Sequence, residues 1–218
     1  MKKIITFFNI KTSGNTLLSI NAALKTKQMF PEKKVGFLQL NFFPEAHTFI
    51  NAPAKKNWAH LFAFLPDQLE NSTLKKCCYT NQIDFYWSPE KTEWSHFSSE
   101  NFLTILQFIA QQYDFLFLDV AAHIPQNILA NVFEKTDHLF CTTFENPTHF
   151  TLLKNDSLLS KQKQKSLIVN QSKVSNFLDH SFLENFSVPV EKNSVLWSQL
   201  YEGIPVVFQK NSRISKAL

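Results

Sequence analysis

Glycine is nearly absent: the chain of 218 residues holds three, Gly14, Gly36 and Gly203. A dinucleotide-binding loop or an intact Walker A loop sets several glycines within about eight residues, because the backbone must take positive φ and approach phosphate without a Cβ. Neither motif is present in intact form. Arginine is scarcer still, one residue beside 21 lysines and 18 acidic residues, so a net charge of +4 leaves bidentate guanidinium recognition of phosphate almost without a donor. Three cysteines, two adjacent at Cys77 and Cys78 and one far away at Cys141, form neither a disulfide framework nor a zinc spacing. They read as free thiols of a reduced compartment, and a cytoplasmic location is expected. The seven histidines show no paired-ligand spacing, so no metal site is expected from them. No run approaches the ~20 apolar residues of a bilayer span, and the start, MKKIITFFNIKTSG, turns polar too early for a secretory signal. Membrane insertion is not expected.

What is present suits one globular α/β domain over residues 1–218, with 44% apolar and 18% charged residues. The 23 phenylalanines, with abundant lysine and asparagine, read as compositional bias rather than as function. Runs of strand length recur at Ile4–Asn9, Val35–Asn41, Ile83–Trp87, Phe115–Asp119, His138–Thr143 and Ser166–Asn170, each nearly continuous in apolar residues. Strands buried on both faces of a parallel sheet read this way. Between them lie helical patterns at Thr16–Phe30, Ser99–Gln112, Pro125–Glu134 and Pro147–Ser160. In Ser99–Gln112, Phe102, Ile105, Leu106 and Ile109 fall on one helical face. The alternation predicts a doubly wound, mostly parallel β-sheet flanked by helices, with ligands at the carboxyl ends of the strands.

Four strand ends carry the functional reading. After the first strand the chain runs Phe7-Phe8-Asn9-Ile10-Lys11-Thr12-Ser13-Gly14-Asn15-Thr16 and enters a helix beginning Leu17-Leu18-Ser19-Ile20-Asn21. A strand, a short polar loop and a helix N-terminus form the usual place for a phosphate. The second strand ends in Gln39-Leu40-Asn41, the fourth in Tyr113-Asp114-Phe115-Leu116-Phe117-Leu118-Asp119, and a later one in Ile168-Val169-Asn170.

These stretches resemble the ParA/MinD family of deviant Walker A ATPases, whose first loop runs approximately FFNxKGGVGKTTLSxNLAxAL, whose second strand reads VLLIDLD and whose Walker B strand reads YDYIIIDTPP. The resemblance spans the chain, through Val188-Pro189-Val190, Gln199–Val206 and Ser212–Leu218. It implies a P-loop-like nucleotide site with degenerate motifs. Asn15 stands where the family has the lysine that reaches the β- and γ-phosphates, between Gly14 and Thr16. Lys11 takes the place of the signature lysine if the loop is one residue shorter; without that deletion Ile10 stands there. Gln39 and Asn41 replace two acids that serve magnesium and the attacking water, and an amide neither takes up a proton nor balances a divalent cation. Asp119 and Thr16 remain as the resemblance's magnesium ligands, should nucleotide bind. Asn170 either reads an adenine edge, as in the family, or makes a turn after its strand.

Burying phosphate without matched cations costs several kcal/mol. The cofactor expectation is therefore none, or ATP with magnesium bound weakly, and no catalytic residue is assigned. The segment Ile83–Glu90 is similar to the CpaE/TadZ branch, whose members localise pilus machinery. A non-hydrolysing pseudo-ATPase that acts as a localisation or assembly scaffold is the expectation, as a homodimer with protein partners of a pilus, secretion or positioning machine. The alternatives are an ATP-dependent dimerisation switch with weak ATPase activity and a partition-type protein that binds nonspecific DNA. The basic run Lys161, Lys163 and Lys165 serves the last of these or is a solvated surface. Trp58, Trp87, Trp94 and Trp197 either form a contact patch or cap the core.

Overall fold

A computed structural model describes residues 2–11, 13–43, 45–53, 57–64, 69–144, 147–162, 164–170 and 187–190. Eight strands are described: β1 Lys3–Asn9, β2 Val35–Leu40, β3 Tyr79–Thr80, β4 Asp84–Tyr86, β5 Phe115–Ala121, β6 His138–Phe144, β7 Lys165–Asn170 and β8 Ser187–Val190. They form one sheet in the order β3-β4-β2-β5-β1-β6-β7-β8. Only the pair β3 and β4 is antiparallel. The helices are α1 Asn15–Met29, α2 Asn71–Cys77, α3 Ser99–Ala110, α4 Gln126–Lys135, α5 Pro147–Asn155 and α6 Ser157–Ser160.

The apolar runs are continuous because both faces of the sheet are covered. Phe7, Phe37 and Phe117 pack with Leu17, Leu18 and Ile20 of α1 on one face. Their chain neighbours Phe8, Leu38 and Leu118 pack with Ile105 of α3 and Val132 of α4 on the other. Alternate side chains of a strand point to opposite faces, so each strand contributes to two cores. The burial of such aromatic and aliphatic side chains on both faces is the main stabilising contribution, each of them ~1.5–3 kcal/mol relative to exposure.

Elements end where local chemistry stops them. The helix expected over Pro147–Ser160 is two: Asp156 accepts hydrogen bonds from the Leu158 and Leu159 amides, starting α6 afresh after α5 ends at Asn155. Ser98 caps α3 by accepting from the Asn101 amide. β2 stops at Leu40, and Asn41 is instead clipped to Ser88, whose Oγ accepts from its amide at 2.9 Å and donates to its carbonyl at 2.6 Å. Short 3-10 turns lie over Ala46–Ile50 and Lys91–His96. Trp58, Trp87 and Trp94 are buried, which settles these three as core residues rather than a contact patch. Trp58 Nε1 donates to Gln39 O at 2.9 Å and so ties the 3-10 turn Trp58–Phe64 to the end of β2. Trp197, Gln199–Val206 and Ser212–Leu218 lie outside the described residues. Gly36 is required by a close approach, since a Cβ there would lie 2.9 Å from the Tyr113 ring.

Candidate functional site

β1, β5 and β2 end side by side, with Phe7 and Gln39 both in register with Asp119. The loop after β1 crosses these ends and enters α1 through Gly14, at φ 76° and ψ 20°. That left-handed conformation is one a side chain rarely takes, so a glycine opens the helix. No side chain caps the helix at that position.

The next residue turns inward. Asn15 is buried, and its Nδ2 donates to Asp119 Oδ1 at 2.7 Å and to Phe7 O at 3.0 Å. Its Oδ1 accepts from Thr142 Oγ1 at 2.8 Å. Thr16 Oγ1 donates to the other Asp119 oxygen at 2.7 Å. Ser13, also buried, shares a 2.7 Å hydrogen bond with Thr142 Oγ1. Asn15, Thr16 and Asp119 thus come together, and Ser13 and Thr142 join them without having been singled out in the sequence. The signal for Thr142 was the pair of threonines interrupting an apolar strand one place from β1.

Asp119 is 2% exposed, and burial pushes its carboxyl up to about 6. The hydrogen bonds from Thr16 and Asn15 pull in the opposite direction, but burial prevails. Gln39 on β2 adds a weaker pull, and its Nε2 is buried outside hydrogen-bond geometry to any described acceptor. Among the described residues no cation pairs with this carboxylate. Lys11 is exposed in the loop and stands apart from the network.

Asn41 belongs to a second cluster. Its Oδ1 accepts from the Phe43 amide at 3.0 Å and lies 2.8 Å from His123 Nε2, which is also 3.0 Å from the Phe42 amide nitrogen. Burial, and then the Lys91 ammonium, hold His123 below its ordinary value. Phe42 packs edge-on against Trp94, while Phe43 is 60% exposed beside the imidazole. Asn170 closes β7 in register with Phe144 and Val190, on the far side of β6 from β1.

A triphosphate brings about four negative charges before its magnesium is counted, to be met by cations and oriented donors. The amide at position 15 faces the sheet instead, the Thr16 hydroxyl and Asp119 carboxylate satisfy each other, and the β2 end supplies only amides. This donor set does not fit magnesium and a triphosphate in the arrangement observed. Among the described residues no three histidine, cysteine or acidic side chains gather into a metal-holding group, and no helix is long and apolar enough to cross a membrane.

Residues 34–147 match a family model described as RNA cytidine acetyltransferase NAT10/TcmA, helicase domain. The matched segment starts after the phosphate-type loop and runs from the residue before β2 to the first residue of α5. No curated protein sequence matches the chain. Among solved structures it is similar to a ParA family ATPase from Chlorobium tepidum TLS, at 17% identity and TM-score 0.82, covering 100% of this chain and 97% of the other. The MinC:MinD cell division protein complex of Aquifex aeolicus is similar at 13% identity and TM-score 0.77, over 99% of this chain and 92% of the other. The septum site-determining protein MinD of Pyrococcus horikoshii OT3, complexed with Mg-ADP, is similar at 15% identity and TM-score 0.74, over 100% and 93%. The fold is that of the ParA/MinD P-loop proteins, over the full chain.

Proposed function

The chain belongs, by its match over residues 34–147, to the family described as the helicase domain of RNA cytidine acetyltransferase NAT10/TcmA, and it has the ParA/MinD fold; from these premises we propose that it is a non-hydrolysing scaffold. It resembles the CpaE/TadZ branch in the segment Ile83–Glu90, and it localises or assembles a pilus, secretion or positioning machine through protein contacts. The observation that carries the reading is Asn15: where turnover needs a lysine facing phosphate, a buried amide faces Asp119 at 2.7 Å. The same observation counts against a helicase activity driven by nucleotide turnover in this chain. The cellular setting is the cytoplasm.

A nucleotide-independent homodimer follows, because no ligand is needed to shape the loop. Its contact surface is the carboxyl edge, around residues 11–16 and beyond Asn41 and Asp119, where Phe43 is already exposed. The test is calorimetric titration of the protein with ATP, with and without Mg²⁺, at low salt, with light scattering in parallel. No heat up to millimolar nucleotide and a constant dimer mass support the scaffold. Micromolar binding, or a monomer that pairs only with ATP, overturns it.

A second reading is an ATP-dependent dimerisation switch using Lys11, Thr16 and Asp119, in which the 2.7 Å contact between Thr16 and Asp119 would have to open toward magnesium. Saturable Mg-ATP binding abolished by Asp119→Ala is its signature. The partition-type DNA reading has weaker support. Lys161 is exposed, but the Lys165 ammonium donates to Leu159 O at 3.1 Å, and Lys163 lies outside the described residues. Salt-dependent binding to nonspecific duplex, lost on replacing the three lysines, would favour it.

A further inference from the structure

One carboxamide touches three adjacent strands. Asn15 donates to Phe7 O of β1 and to Asp119 of β5, and it accepts from Thr142 of β6. Two residues earlier, Ser13 reaches the same Thr142 hydroxyl. These contacts hold the start of α1, a helix that has no side-chain cap of its own. An uncapped helix start in a phosphate loop ordinarily gains its partners from a bound anion. Here the donor and acceptor atoms of the Asn15 side chain are occupied from inside the protein and tie the helix start to the sheet.

We propose that Asn15 is an internal strut that takes over the ordering role of a ligand at this loop, so that the loop and the first turn of α1 keep one conformation whether or not nucleotide is present. The inference rests on the non-hydrolysing reading and deepens it: the site not only fails to turn over nucleotide, it does not switch. Asn15 is a positioning residue in this account. The consequence is constitutive presentation of the carboxyl edge to a second copy or a partner.

Two local rates report on the strut in the whole protein. One is native-state tryptic cleavage after Lys11, which is exposed in the loop. The other is amide exchange at Leu18, whose N–H closes the first turn on Gly14 O at 3.0 Å. Asn15→Ala is expected to raise both by about tenfold while exchange at Leu116 and Leu118 of β5 stays at the wild-type rate. Thr142→Val removes the strut's anchor on β6 with little change of shape and is expected to raise the same two rates. It also serves where Asn15→Ala does not fold. Wild-type rates are expected to be the same with and without millimolar Mg-ATP.

Unchanged local rates in both variants overturn the proposal, as does an equal rise at Leu116 and Leu118, which reports only global destabilisation. Slowing of the wild-type rates by Mg-ATP overturns the constancy it claims. Calorimetric ATP binding without such slowing defeats the scaffold reading and leaves the strut standing.

Discussion

Replacing Asp119 with asparagine should make the protein more stable at neutral pH. The carboxyl is fully buried and titrates at about 6 against an ordinary 3.8, so its ionisation costs the folded state about 3 kcal/mol relative to the unfolded chain. The sign follows from proton counting. Between pH ~4 and ~6 the folded state holds a proton that the unfolded state has released, so stability falls as pH rises through that window and levels off above it. Asparagine is neutral and nearly isosteric. Its oxygen can accept from Asn15 Nδ2 as the carboxylate does, and its amide can donate to Thr16 Oγ1, which has free lone pairs. A gain of about 1–3 kcal/mol at pH 7 is expected, or ~3–10 °C in Tm for a chain of this length. Urea and thermal denaturation followed by circular dichroism, at intervals from pH 4.5 to 8 for both proteins, measure it. Their difference isolates position 119 from the other titrating groups. If Asp119→Asn is destabilising at pH 7, or if its stability keeps the wild-type slope between pH 4.5 and 6, the carboxylate has a compensating partner and the reasoning fails.

Two further predictions concern the scaffold. Gly36→Ala puts a Cβ 2.9 Å from the Tyr113 ring, which is itself held by hydrogen bonds to Tyr86 and Asp84. The ring has little room to retreat, and a loss of about 1–3 kcal/mol by chemical denaturation is expected. Asp156→Ala removes the cap of α6 and should cost about 1 kcal/mol. Amide exchange should show the loss concentrated at Leu158 and Leu159.

The sheet was legible because its physics is repetitive. Strands covered on both faces must be apolar at every position, and the stretches around Phe7, Phe37 and Phe117 show it without any tertiary information. The edge was not legible in this way. β3 has two residues and α2 seven, too short for a period to emerge. The break at Asp156 was readable in principle, since an aspartate directly before Ser157 and Leu158 is cap chemistry, but a continuous apolar stripe hid it. In the candidate site, sequence placed Asn15, Thr16 and Asp119 at neighbouring strand ends. It did not place Ser13 and Thr142, whose roles depend on a 129-residue separation closing through the β1 and β6 pairing. Nor did it show which way Asn15 would face. A lysine in that place has the reach to leave the sheet, whereas a carboxamide is short enough to be captured by the backbone carbonyl of Phe7.

The two-residue antiparallel strand β3 also bears on how copies of this chain meet. An exposed sheet edge offers a row of unpaired amides and carbonyls onto which another chain can add a strand, and long flat edges are the usual route to unwanted fibres. β3 turns the margin antiparallel and then ends after Thr80, whose hydroxyl is bonded back to Asp84 at 2.6 Å. A neighbouring molecule finds almost no ladder to extend on this side. Association is thereby discouraged along the strands at that margin and left to surfaces where side chains, not backbone, choose the partner.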